Sequence, residues 1–485
     1  VALSCYYNYD EIIFKQPSGV HQWRQCDGAS IARNYYYVSM NFFAPRLSMT
    51  TGNDGKMVSE FPIVYYMAAI GYKVFGFHDW FIRAINLAIF FVGLFFLLKA
   101  IYILLNDWFY ALFSSLLIFA SALVADYANN FLPDVPALSF TFAGYYYYLR
   151  YGTSKNNHYL QLCALAFTFV GLLKVTSLIG LAALIAVEWV VWVISKTERQ
   201  QQFKKLAYLF VPLIISGFWI AYSKWYNATN GNGYMLTSIK PIWQIDAEQI
   251  KFIIGMFKYV YLRAVMYRDF INALPYIISA GLILFPTKNK KFKLWMVLSL
   301  TGCLLYVLLF FQQFVVHDYY IICSMFMLPA AVVLMLLNIR LWSQRMFNSY
   351  VLKLSLLILF CVMTFHGHRI FTGRKSPELL GEQYDSLKGI DKYLESIGVH
   401  VNDKVISLGD KSTCISLYLM NRRGRTEFGL PYEYTAADIL KLKEDGIKYL
   451  IVNACWQPSE ERKNSLTDLF AKQIGDYSGT KIFVL

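Results

Sequence analysis

The stretch HQWRQCDGAS, residues 21–30, sets a His, a Trp, an Arg, two Gln and one acid, Asp27, shortly before a long apolar region. A carboxylate among cations and aromatic rings is suited to taking a proton from a hydroxyl nucleophile. Arg24 and Arg33 flank it, and a guanidinium fork matches a phosphate bidentately. The same Asp, placed before GASIARNYY, also suits a helix N-cap, and both readings stand at this level. Glu60 precedes Phe61-Pro62 and is either a site acid or a helix-start residue. Asp134, in NNFLPDVPAL, lies between two prolines at the mouth of an apolar run, where an acid is costly to bury; capping is the competing role. Lys174 interrupts the apolar run GLLKVTS and either snorkels to the surface or points inward as a phosphate ligand. Arg83 begins a span and reads as an interfacial anchor, and Arg263 and Arg268 either bind an anionic head group or belong to a solvated face. FVVHDYY places His317, Asp318 and Tyr319 together at the end of a run. With no second His at helical spacing the metal reading is weak, and hydrogen bonding to a polar head group is the better role.

These residues need a scaffold. Of 485 residues 57% are hydrophobic and 16% charged, and the mean hydropathy is +0.40. Soluble domains rarely have this balance. The class is a polytopic α-helical membrane protein, with apolar runs at 83–105, 108–126, 133–148, 159–175, 177–195, 206–223, 271–285, 294–314, 319–337 and 350–365. The opening VALSCYYNYDEII looks like the tail of a truncated first span, making about eleven. Residues 159–195 read as a hairpin with Lys174 near its tip. The net charge of +14 does not form one patch, which argues against nucleic acid. Instead Lys and Arg crowd the loops RYGTSKNNH, KTERQQQFKK, KNKKFK and RLWSQR, whose one acid is Glu198. These loops mark the cytoplasmic side. Asp27, Glu60, Asp134, Lys174, Arg268, His317 and Asp318 then all fall on the outer side, although none of them set the orientation.

The first outer loop, residues 8–82, is long enough for structure of its own. DGASIARNYYYVSMNFF has helical character, and PIVYYMAAIGYKVFG is a short apolar helix ended by Gly76. AEQIKFIIGMFKYVYLRAVMYRDF, in the second outer loop at 224–270, reads as an amphipathic surface helix. From residue 369 the composition becomes that of a soluble domain. DKVISLG, IKYLIVN and KIFVL are strands; ADILKLKEDG and SEERKNSLTDLFAKQIG are helices. The expected division is a transmembrane catalytic part at 1–368 and a small outward-facing α/β domain at 369–485. The eight cysteines have no metal spacing, and Cys414 and Cys455 read as free thiols rather than a pair. The sequon Asn227-Ala228-Thr229 carries little weight.

The order of these motifs resembles the GT-C superfamily of polyprenyl-phosphate-sugar glycosyltransferases, and within it the lipid A aminoarabinose transferases and protein O-mannosyltransferases. The likeness covers about residues 20–365 and rests on Asp27 followed by IARNYY, SEFPIVYYMAAIGYKVFG, FIRAINLAIF, PDVPAL, LLKVTS and HDYY. It implies a GT-C fold, with Asp27 as the base, Asp134 as the assisting acid and Glu60 as the acid before the Pro-containing helix. One departure stands out. In aminoarabinose transferases a Lys lies between that Glu and the Pro and contacts the donor phosphate; here Phe61 takes its place. Phosphate binding then passes to Lys56, Arg83, Lys174 or Arg268, and the C-terminal domain gains no role from the resemblance.

The implied reaction is transfer of a sugar from undecaprenyl or another polyprenyl phosphate to a hydroxyl or phosphate of a lipid, glycan or protein, with inversion at the anomeric carbon. It takes place on the outer, periplasmic side of the inner membrane. No nucleotide fingerprint is seen, the resemblance implies metal independence, and no cofactor is expected. A lipid-linked sugar flippase is the rival, but it would scatter charges through many spans and show inverted repeats. A purely structural subunit would not explain the clustering at one surface.

Overall fold

The computed structural model describes residues 1–50, 53–194, 199–233, 239–284, 290–375, 383–429 and 434–485. Ser195, Glu198 and Phe285, together with part of the KNKKFK loop, lie outside them. The chain divides into two compact units. One comprises 1–13, 83–222 and 237–373; the other comprises 14–82, 223–236 and 374–485. The second unit thus joins the first long loop to the C-terminal residues.

The first unit is helical. Among the described residues six helices are long and apolar enough to cross a membrane: Trp80–Leu105, Val175–Ile194, Arg199–Thr229, Lys290–Leu309, Asp318–Trp342 and Tyr350–Arg374. A seventh is added if Trp108–Ala120 and Ala122–Ala128, bent by 76°, form one span. The bend has a local cause: Ser121 is extended and its hydroxyl accepts from the Val124 amide, so it starts a new helix. The other expected spans are helices too. Asn157–Leu173 and Arg268–Leu284 have 17 residues each, short of the roughly 20 that a bilayer core needs, and Asp134–Ser154 is rich in Tyr. The expected hairpin is present. Asn157–Leu173 ends at Lys174, a 3₁₀ turn follows over Val175–Leu178, and Ile179–Ile194 returns. The span expected to stop at 223 continues to Thr229, and Asn227 of the sequon is buried against Val58, bonding its amide and carbonyl at 2.9 and 2.8 Å. The expected amphipathic helix is interrupted: Ala247–Met256, a π-turn at Phe257–Tyr261 and Leu262–Val265 end at extended Met266.

The second unit pairs two helices with a small sheet. Gln22–Tyr37 packs on Ile63–Phe75, which closes at Gly76 with φ +86°, as its sequence implies. Gly28 makes the approach possible, since a Cβ there would lie 2.4 Å from the Tyr65 hydroxyl. The strands are β1 (Lys404–Leu408), β2 (Arg423–Thr426), β3 (Ile447–Val452), β4 (Gln473–Tyr477) and β5 (Thr480–Val484). Their order is β2-β1-β3-β5-β4. β1 runs parallel to both its neighbours, and β3-β5-β4 is antiparallel. The single helix expected over 459–475 is instead Glu460–Ser465, a 3₁₀ turn and then β4. Residues of the first loop join this domain: Thr50 donates its amide to Gly424 O at 2.7 Å, and Gly424 donates to Ser48 O at 3.0 Å.

Candidate active site

Asp27 lies well inside the helix Gln22–Tyr37, whose N-cap is His21. The capping role is therefore excluded. Its side chain is 1% exposed, so the carboxylate is covered rather than open to solvent. It is covered by the loop that follows β1. Thr413 donates its hydroxyl to Asp27 Oδ1 and accepts from Trp23 Nε1 at 2.6 Å. Oδ2 has no hydrogen-bond partner among the described residues. Burial pushes the carboxyl up to about 6; Arg24 and hydrogen bonding from Thr413 and, more weakly, the Cys414 thiol oppose this, and Glu60 adds to it. A carboxylate with one filled and one unfilled oxygen, poised near neutral pH, is equipped to take up a proton.

Arg24 forms an ion pair with Glu60. Glu60 also accepts from Ser59 and, at 3.3 Å, from the Tyr65 hydroxyl. It lies two residues before the Pro62 N-cap of Ile63–Phe75. Phe61 stacks edge-on with Phe42 at 5.0 Å. Arg33 has a different task from the expected one. Fully buried, it gives Nε to Asn421 Oδ1 at 2.6 Å, Nη2 to Asn421 O at 2.7 Å and Nη1 to Asn34 Oδ1 at 3.1 Å. Those donors tie the helix to the C-terminal domain. Lys56 is half-buried, and its backbone pairs with Arg46.

In the first unit Lys174 joins the expected residues. Its ammonium meets Asp134 Oδ1 at 3.0 Å and lies over the rings of Tyr320 and Tyr319, at 4.3 and 5.1 Å. Asp134 occupies the first turn of Asp134–Ser154, where the helix dipole favours an anion. Tyr127 donates to Asp318 Oδ1 at 2.6 Å, and His317 stacks on Tyr320 at 5.2 Å. His317 also lines a cavity of 860 Å³ with Lys240, Glu248, Gln249, Gln312 and Gln313. Arg83 is buried; it bonds Asn129 O and lies 4.5 Å over the Phe131 ring. It braces the segment that leads to Asp134 and is not the interfacial anchor its position implied. Arg268 opens its helix with an exposed side chain. Residue types in the sequence did not mark Thr413 or Tyr320.

Comparison with known proteins agrees with the fold class expected from the motif order. The family model of dolichyl-phosphate-mannose-protein mannosyltransferases matches residues 59–221. That stretch holds Glu60, Arg83, Asp134 and Lys174 but starts after Asp27. The chain is similar in fold to ArnT from Cupriavidus metallidurans in the apo state, with TM-score 0.65 and 13% identity over 100% of this chain and 96% of that one. The same protein bound to undecaprenyl phosphate gives 0.64 at 13% identity, with the same coverage. The Archaeoglobus fulgidus oligosaccharyltransferase, tethered to an acceptor peptide, gives 0.52 at 10% identity over 93% of this chain and 68% of that one. No curated protein matches the chain by sequence.

Proposed function

We propose that this chain, a membrane glycosyltransferase of the GT-C fold, moves a sugar from a polyprenyl phosphate such as undecaprenyl phosphate to an acceptor hydroxyl or phosphate, on the outer side of the inner membrane and without a cofactor. The acceptor oxygen attacks the anomeric carbon as the bond from that carbon to the phosphate oxygen breaks. Its proton passes to Asp27 Oδ2, and the lipid phosphate leaves with the bonding electrons. One displacement inverts the centre. Within the first unit, Lys174, held by Asp134 and two Tyr rings, is a cation suited to an anionic head group. Arg24, paired with Glu60, sets the charge beside the base.

One observation carries this reading: a buried Asp, raised to about 6, keeps one oxygen without a partner among the described residues. The main test is Asp27→Asn, assayed as release of undecaprenyl phosphate from lipid-linked sugars extracted from host membranes. The expected loss is about 10²–10⁴-fold with undecaprenyl phosphate binding retained. Unchanged release would remove Asp27 from the mechanism.

Burial of the base implies a second test. The acceptor reaches Oδ2 only if the cover over it yields. Cys414, fully buried beside Ser30 at 3.6 Å, reports on that cover. Peptide-level mass spectrometry should find maleimide on Cys414 about tenfold faster during turnover than at rest. Equal rates in the two conditions argue against opening.

A further inference from the structure

The sheet of the C-terminal domain has a chemically useful point. From β1 the chain passes to β2 on one side and then returns across to β3 on the other. In open α/β sheets, ligand-facing loops gather at the carboxyl ends of the strands where the order reverses in this way. Here the loop after β1 is residues 409–414, and its conformation is locked. Gly409 has φ +86°, and a Cβ there would meet Trp456 Cβ at 2.9 Å. Asp410 folds the loop back, accepting from the Ser412 and Ser416 amides, each at 2.7 Å, and from the Ser416 hydroxyl at 2.5 Å. Thr426 Oγ1 donates to Ser412 O at 2.6 Å.

This loop presents the Thr413 hydroxyl to Asp27. The direction of the bond is fixed by chemistry. The Trp23 indole only donates, so it fills an acceptor position on Thr413 Oγ1 and leaves the hydroxyl proton for the carboxylate. The other groups acting on Asp27 are Arg24 from its own helix, Glu60 from the segment before Ile63–Phe75, and the thiols of Cys26 and Cys414. Thr413 bonds Oδ1, and Oδ2 has no partner in hydrogen-bonding geometry among the described residues.

We propose that Thr413 is a positioning residue for sugar transfer, through which the C-terminal α/β domain holds the Asp27 carboxylate in one rotamer with Oδ2 left to receive the acceptor proton. This rests on Asp27 being the base.

The test compares Thr413→Val and Thr413→Ser in the full chain. Asp27 is titrated by infrared difference spectroscopy, its band being the one absent from Asp27→Asn. The Val variant loses a hydrogen bond to the charged form, so the midpoint should rise by about one unit. Undecaprenyl phosphate release from host-membrane lipid-linked sugars should fall about tenfold, its acid limb moving up in pH with the midpoint. The Ser variant should restore both. A folded Thr413→Val with the wild-type midpoint and wild-type release overturns the positioning role, while loss of release in Asp27→Asn keeps the base intact. Full release in Asp27→Asn overturns both.

Discussion

Two buried carboxylates in the second unit lie close together and do opposite things. Asp410 is fully buried and accepts from Ser412 N, Ser416 N, Ser416 Oγ and Tyr384 Oη, the last at 3.0 Å. Both its oxygens are filled from its own loop and neighbours. Asp27 is as deeply buried, yet one of its oxygens is bonded by Thr413 and the other by nothing among the described residues. A saturated carboxylate shapes backbone; a half-saturated one keeps capacity for another proton donor. Burial alone therefore does not mark a site. What marks it is burial with hydrogen-bonding capacity left over.

The comparison fails most visibly if Asp27→Asn keeps transfer, since the expected loss is the largest effect here. A second substitution attacks the other side. Asp410→Ala strips the charged acceptor from four donors and should cost about 3–5 kcal/mol. The measure is a lowered thermal midpoint of the detergent-purified chain with faster proteolysis of the 409–416 segment. If Asp410→Ala instead leaves the fold intact, Asp410 does not shape the loop and the contrast collapses. Transfer should also fall in this variant, because the loop carries Thr413, but only as a consequence of lost structure.

Asp27 was legible because acid, cations and aromatics share one short stretch, and Lys174 because a charge breaks an apolar run. β1, β3 and β5 were legible through their β-branched content. Two strands were not. β2 reads RGRT, with hardly an apolar residue, and is set by pairing with β1 and by Gly424 at φ +153°. β4 reads QIGDY and follows a helical run, so its sequence pattern continues the helix while pairing with β5 decides otherwise. Arg33 and Arg83 looked like phosphate ligands because residue type shows a guanidinium but not where its donors go. Thr413 left no local signal at all: its contact with Asp27 joins positions 386 residues apart. Its one available clue was topological, the loop after the first strand of the α/β domain.

The smallest expected effect is that of Asp27 on stability with pH. Asp27 ionises at about 6 in the folded chain against 3.8 for the ordinary carboxyl. Below that ordinary value the group is protonated folded or unfolded and costs nothing. As pH rises from there towards 6 the unfolded chain releases its proton while the folded one keeps it, so stability falls. Above about 6 the whole cost is present, about 2–3 kcal/mol. Asp27→Asn removes an ionisable group whose charged form the fold disfavours. It should therefore raise the thermal midpoint at pH 8 and leave it nearly unchanged at pH 4. A midpoint at pH 8 equal to or below the wild type would mean that the fold tolerates the Asp27 charge, and what sets this carboxylate apart would have to be sought in access rather than in energy.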